Sequence, residues 1–129
     1  MRSWKPALVG LLLAFATAVA VALLGKPRGP ELLAAVLVAA AAVYPAAALA
    51  QGARGTLLAE TLMMMFFVIV ALLGLWHSLT LLAIGYFGHA GWDLLHHPRR
   101  IGAQAGATFP RFCLVYDIAV GVLILAIYR

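Results

Sequence analysis

Apolar and polar positions alternate in long blocks along this chain rather than at the short periods of a soluble fold. Ala7 to Leu24 is almost unbroken hydrocarbon, and it stops at Gly25-Lys26-Pro27-Arg28-Gly29-Pro30, whose glycines and prolines end one helix and set up the next. A second apolar block, rich in alanine, runs from Glu31 to Ala50, with Pro45 expected to kink its last turns. Gln51-Gly52-Ala53-Arg54-Gly55 follows, and then a proline-free stretch from Thr56 to His97 that is about twice the length of one membrane crossing. A turn must lie within it. The polar, aromatic run Trp76-His77-Ser78 is the place for it, giving spans of 56–75 and 78–97. The loop from Pro98 to Pro110 is basic and rich in Gly and Ala, and a last block runs over 111–127.

The pattern predicts an all-α integral membrane bundle forming one transmembrane domain over residues 1–129, with five spans at 7–24, 31–50, 56–75, 78–97 and 111–127. The count falls to four if Arg2, Lys5 and the apolar run after them form a cleaved signal peptide. Composition agrees. Of 129 residues, 66% are hydrophobic and 10% charged, which excludes an ordinary soluble domain and leaves no length for one beside five spans.

The formal charge of +5 does not indicate nucleic acid, because the nine basic residues sit at span ends, where they set topology and meet lipid headgroups. With the N-terminus inside, Arg2, Lys5, Arg54, Arg99, Arg100 and Arg111 face the cytoplasm, against Lys26, Arg28 and Arg129 outside. The bias predicts a cytoplasmic N-terminus. The single cysteine, Cys113, excludes an internal disulfide and a Cys-x-x-Cys motif.

Under this topology the titratable residues gather at the inner side. At 1.5 Å per residue, Glu60 lies roughly 6 Å inside its span, Asp117 roughly 9 Å, Asp93 about 6 Å from the end of span four and His89 about 12 Å from it. His89, Asp93 and His96 are spaced i, i+4, i+7 and share one helix face within about 60°, with His97 about 40° beyond Asp93. Such a stripe cannot face lipid cheaply, since a charged Asp near mid-bilayer costs about 2.5–3.5 kcal/mol. Glu60 and Asp117 stand at the right depth to partner it, and Cys113 and Tyr116 accompany Asp117.

His89, Asp93 and Asp117 are therefore the candidate acid–base residues, and Asp93, His96, His97, Asp117 and Glu60 the candidate ligands of a divalent metal such as zinc or iron. His89 and His96 are about 10.5 Å apart along the axis, too far to share one ion comfortably. The expected ligand set is thus Asp93 with His96 or His97, completed by Asp117 or Glu60, with His89 as a proton carrier or outer partner. The same groups could instead pair as interhelical glue, or His96 and His97 could meet headgroups beside Pro98-Arg99-Arg100. Met63, Met64 and Met65 point in three directions, so packing outweighs copper binding. Gly85, Gly88 and Gly91 are expected to admit a neighbouring helix, and Trp76 and His77 to lie at the outer interface.

The tracts His89-Ala90-Gly91-Trp92-Asp93-Leu94-Leu95-His96-His97 and Phe112-Cys113-Leu114-Val115-Tyr116-Asp117 resemble small bacterial membrane proteins grouped as a family of unknown function. The resemblance covers about the C-terminal third and implies a multi-pass protein of the bacterial inner membrane, without a mechanism. In chemistry alone, His and carboxylates inside a small bundle also look like the sterol-isomerase type of membrane enzyme. Three functions follow as expectations: an enzyme acting on a lipid or isoprenoid, a proton- or metal-coupled carrier, and a structural subunit. Membrane lipids are the expected partners. A chain this small also invites a homo-oligomer, above all for transport.

Overall fold

A computed structural model describes residues 3–96, 102, 103, 105, 106 and 108–128. It is all-helical among these residues: α1 Lys5–Leu24, α2 Arg28–Ala50, α3 Arg54–Trp76, α4 Leu79–His96 and α5 Phe109–Ile127. Four of them, α1, α2, α3 and α5, are long and apolar enough to cross a membrane. The fifth, α4, carries the polar stripe. His77 and Ser78 separate α3 from α4. Helix α2 starts ahead of the expected Glu31, because Pro30 falls in its first turn, where an absent N–H costs nothing, and it continues through Pro45 to Ala50. Helix α5 likewise begins with Pro110 in its first turn.

The helices close a ring in chain order, each packed on the next and α5 on α1, while α4 also touches α2. Helix α4 thus has neighbours on three sides. Each helix buries one narrow face: Gly10, Ala14 and Val21 on α1, and Glu60, Phe67, Ala71 and Gly74 on α3. These spacings follow the 3.6-residue turn.

What lies outside and inside is inverted relative to a soluble protein. Leu12, Phe15, Leu23, Leu58, Leu62, Phe66 and Ile69 are exposed, whereas Glu60, His89, Asp93, His96 and Asp117 are buried. Three of the four acidic residues in the chain are therefore interior. In hydrocarbon, apolar burial gives no net drive to helix association, and close packing must supply it. The bundle uses small residues for this. A Cβ on Gly10 would come within 2.7 Å of the Phe112 carbonyl oxygen, and one on Gly74 within 2.8 Å of the Leu82 nitrogen, so α1–α5 and α3–α4 meet backbone to backbone. Gly85 likewise admits Leu37 and Val70, while Gly91 faces no neighbour. Met63 and Met64 pack on the core and Met65 is exposed, a distribution suited to packing.

Candidate metal centre

The site is built on the C-terminal half of α4, whose i, i+4, i+7 stripe turns to three different neighbours. His89 and Asp93 face α5, one turn from Cys113 and Asp117, which are themselves i, i+4 on their helix. His89 Nδ1 lies 2.6 Å from Asp117 Oδ2 and 3.3 Å from Asp93 Oδ2. The Cys113 thiol donates to Asp117 Oδ2 across 3.5 Å and stands 3.9 Å from His89 Nδ1. From α2, the Tyr44 hydroxyl donates to Asp93 Oδ1 at 2.6 Å. His89, Asp93 and Asp117 have no exposed surface.

Four ligand atoms, one each from His89, Asp93, Cys113 and Asp117, lie within 4.8 Å of one another. Around a tetrahedral zinc, donors at 2.0–2.3 Å from the ion stand about 3.3–3.7 Å apart. The observed separations straddle that range: the His89–Asp117 contact at 2.6 Å would have to open by roughly 0.7 Å, and the widest pairs, up to 4.8 Å apart, to close by about 1 Å. The hydrogen bonding is also incomplete. Among the described residues His89 Nε2, Asp93 Oδ2 and Asp117 Oδ1 are buried without a hydrogen-bond partner. Buried polar atoms of this kind are costly when unmet, and a cation held on the Nδ1 side of His89 would meet the two carboxylate oxygens.

The donor set is also electrostatically suited to a cation. Two carboxylates, a thiolate and a neutral imidazole carry three negative charges, and a divalent ion among them would offset two. Cys113 adds a soft donor, which suits zinc or iron(II) better than magnesium or calcium.

The expected ligand set separates into two. His96 does not join Asp93. Its Nε2 lies 2.9 Å and 3.2 Å from the two oxygens of Glu60 on α3, and its Nδ1 lies 2.7 Å from the Trp92 carbonyl oxygen. A carbonyl only accepts, so Nδ1 carries a proton, and a second proton is shared between Nε2 and Glu60. That pair is neutral by itself. The division has a geometric cause: Asp93 and His96 are i, i+3, and the Trp92 contact turns the His96 ring toward α3 while Asp93 points to α2 and α5. His97, also expected as a ligand, lies outside the described residues. Arg111 donates to the Ser3 carbonyl.

Two members escaped the sequence reading. Cys113 was placed beside Asp117 but not counted as a ligand. Tyr44 was not singled out, although it is the only side chain with a hydrogen-bonding group between Leu32 and Ala50. It joins the two halves of the site. Its ring stacks on His96 with centroids 3.9 Å apart while its hydroxyl holds Asp93. Phe109 and Trp92 pack edge-on against Tyr44 and His96, and Gly102, at φ +75°, lies so close that a Cβ there would fall on His96 Nε2 and Glu60 Oε1. This aromatic layer and Gly102 cover the Glu60–His96 pair.

No curated protein and no solved structure matches the chain. A family model described as a family of unknown function, DUF6010, matches residues 5–129, nearly the whole length, and the chain belongs to that family.

Proposed function

We propose that this protein is a multi-pass membrane protein, α4 included among its spans, that holds one divalent transition metal, zinc or iron, at His89, Asp93, Cys113 and Asp117. One observation carries the reading: four buried ligand atoms converge within 4.8 Å in a chain with four acidic residues and a single cysteine. The N-terminus is on the cytoplasmic side of a bacterial inner membrane, which puts the centre in the inner half of the bilayer. Bound by these residues, the metal would supply Lewis-acid chemistry toward a lipid or isoprenoid substrate. Transport of a metal or proton ranks behind catalysis, because the buried titratable groups gather at one end of the bundle.

Elemental analysis of purified protein tests the core of the proposal. Wild type should carry close to one zinc or iron per chain. Asp93→Ala and Asp117→Ala should carry less than a tenth of that, while Glu60→Gln, which touches only the neighbouring pair, keeps its metal. Protein that takes up no metal on reconstitution, with a melting temperature indifferent to added zinc and iron, refutes the metal.

A second reading is favoured by the 2.6 Å His89–Asp117 contact, which already joins α4 to α5 as a hydrogen bond. Here the network bears protons alone and fixes helix packing, as in a structural subunit. It predicts that Asp93→Asn is tolerated with little loss of stability.

A further inference from the structure

At the end of the bundle opposite the metal centre, the α1–α2 turn and the α3–α4 turn enclose a cleft of about 350 Å³. One wall consists of Lys26, Pro27, Pro30 and Glu31, the other of Gly74 to Leu79. In a chain with 10% charged residues, a basic and an acidic side chain share this one hollow, facing His77 and Ser78. Its walls are held firmly. Gly74 packs against the Leu82 backbone, and Lys26 Nζ stands 5.1 Å from the centroid of the Tyr128 ring, a cation–π contact that aims its stem. The Glu31 carboxylate and the His77 ring have no partner among the described residues.

We propose that this cleft binds a zwitterionic phosphate–ammonium group of the phosphoethanolamine type. The volume is at the low end of ligand sites, about 300 Å³, which suits a small polar group. Lys26, His77 and Ser78 supply donors for a phosphate. Glu31 would repel a purely anionic headgroup in the same space, and it becomes favourable only when the ligand brings its own cation. Trp76 is 70% exposed at the rim and, with Leu75 and Leu79, gives the apolar surface that an attached acyl chain would follow. The site is independent of the metal centre.

Native mass spectrometry of the full chain in a sugar-based detergent, with phosphatidylethanolamine and phosphatidylglycerol supplied at equal concentration, tests this. Wild type should retain one phosphatidylethanolamine, at least tenfold over phosphatidylglycerol. Glu31→Gln should lower retention of phosphatidylethanolamine about tenfold without lowering that of phosphatidylglycerol, and Lys26→Gln should lower both. Both side chains are exposed, so the variants should melt with wild type. Displacement by free phosphoethanolamine assigns the ligand to the soluble zwitterion, and failure to displace assigns it to the lipid. Equal retention of the two lipids by wild type, or a Glu31→Gln variant that binds like wild type, overturns the proposal.

Discussion

Tyr44→Phe separates the two things Tyr44 does. The substitution deletes the hydroxyl that donates to Asp93 Oδ1 at 2.6 Å and keeps the ring that stacks on His96 at 3.9 Å. Two magnitudes follow. Hydrogen bonds between membrane helices contribute about 0.6 kcal/mol on average and about 1.7 at most, so the bundle should lose roughly 1 kcal/mol of stability. Metal binding should suffer more, because Asp93 would then lose the group that orients it. Removing an outer partner of a metal ligand costs about 10- to 100-fold in affinity, or about 1.4–2.7 kcal/mol. The assay is a chelator-competition titration of zinc on purified wild type and Tyr44→Phe in detergent, beside a thermal melt of each. The expected outcome is a Kd raised by that factor with a melt only slightly lowered. A Kd within threefold of wild type would refute the claim that Tyr44 positions Asp93. A melt lowered as far as by Asp93→Ala would show that the hydroxyl serves packing rather than the ligand.

Cys113→Ser replaces a soft donor with a hard one. Zinc affinity should fall at least tenfold while weak manganese binding stays the same, and an unchanged zinc Kd would remove Cys113 from the ligand set. Gly102→Ala should lower the melting temperature by more than Gly106→Ala does. Both glycines have positive φ, which costs a non-glycine residue about 1–2 kcal/mol, but only Gly102 also lies against His96 and Glu60. Gly74→Ala should cost about 1–3 kcal/mol by forcing α3 from α4, whereas Gly55→Ala, with nothing within 4 Å, should be neutral or stabilising in the same melt.

The helices were legible because their punctuation is chemical: Gly25 to Pro30, Gln51 to Gly55 and Trp76 to Ser78 each interrupt a run that could otherwise continue. The stripe on α4 was legible because His89, Asp93 and His96 obey a helical period, and a polar stripe in an apolar helix must be enclosed. Position along the helices followed from counting residues. Azimuth did not. Counting puts Glu60 and Asp117 at similar depth, yet only the ring order of the helices decides that Glu60 meets His96 while Asp117 meets His89. Tyr44 was hidden for a related reason: a tyrosine beside a proline in an alanine-rich run shows no period, and its role appears only once α2 packs on α4.

The same ring order explains why polarity and enclosure go together across the five helices. Helix α1 packs mainly on its neighbours α2 and α5, buries three residues, and carries no charged side chain after Lys5. Helix α4 touches α2, α3 and α5, and it alone falls short of the apolar character of a membrane span. Each of those three contacts brings a partner for the stripe: Tyr44, Glu60, and the pair Cys113 and Asp117. The bundle therefore cannot lose one of them without leaving a buried polar group short of a partner. Helix α1 backs α5 through Gly10 and through the 2.9 Å hydrogen bond between Thr17 and Tyr116, beside Asp117. Its part is to fix the helix that carries half of the ligand set, so a chain lacking α1 should still form the Glu60–His96 pair while binding metal poorly.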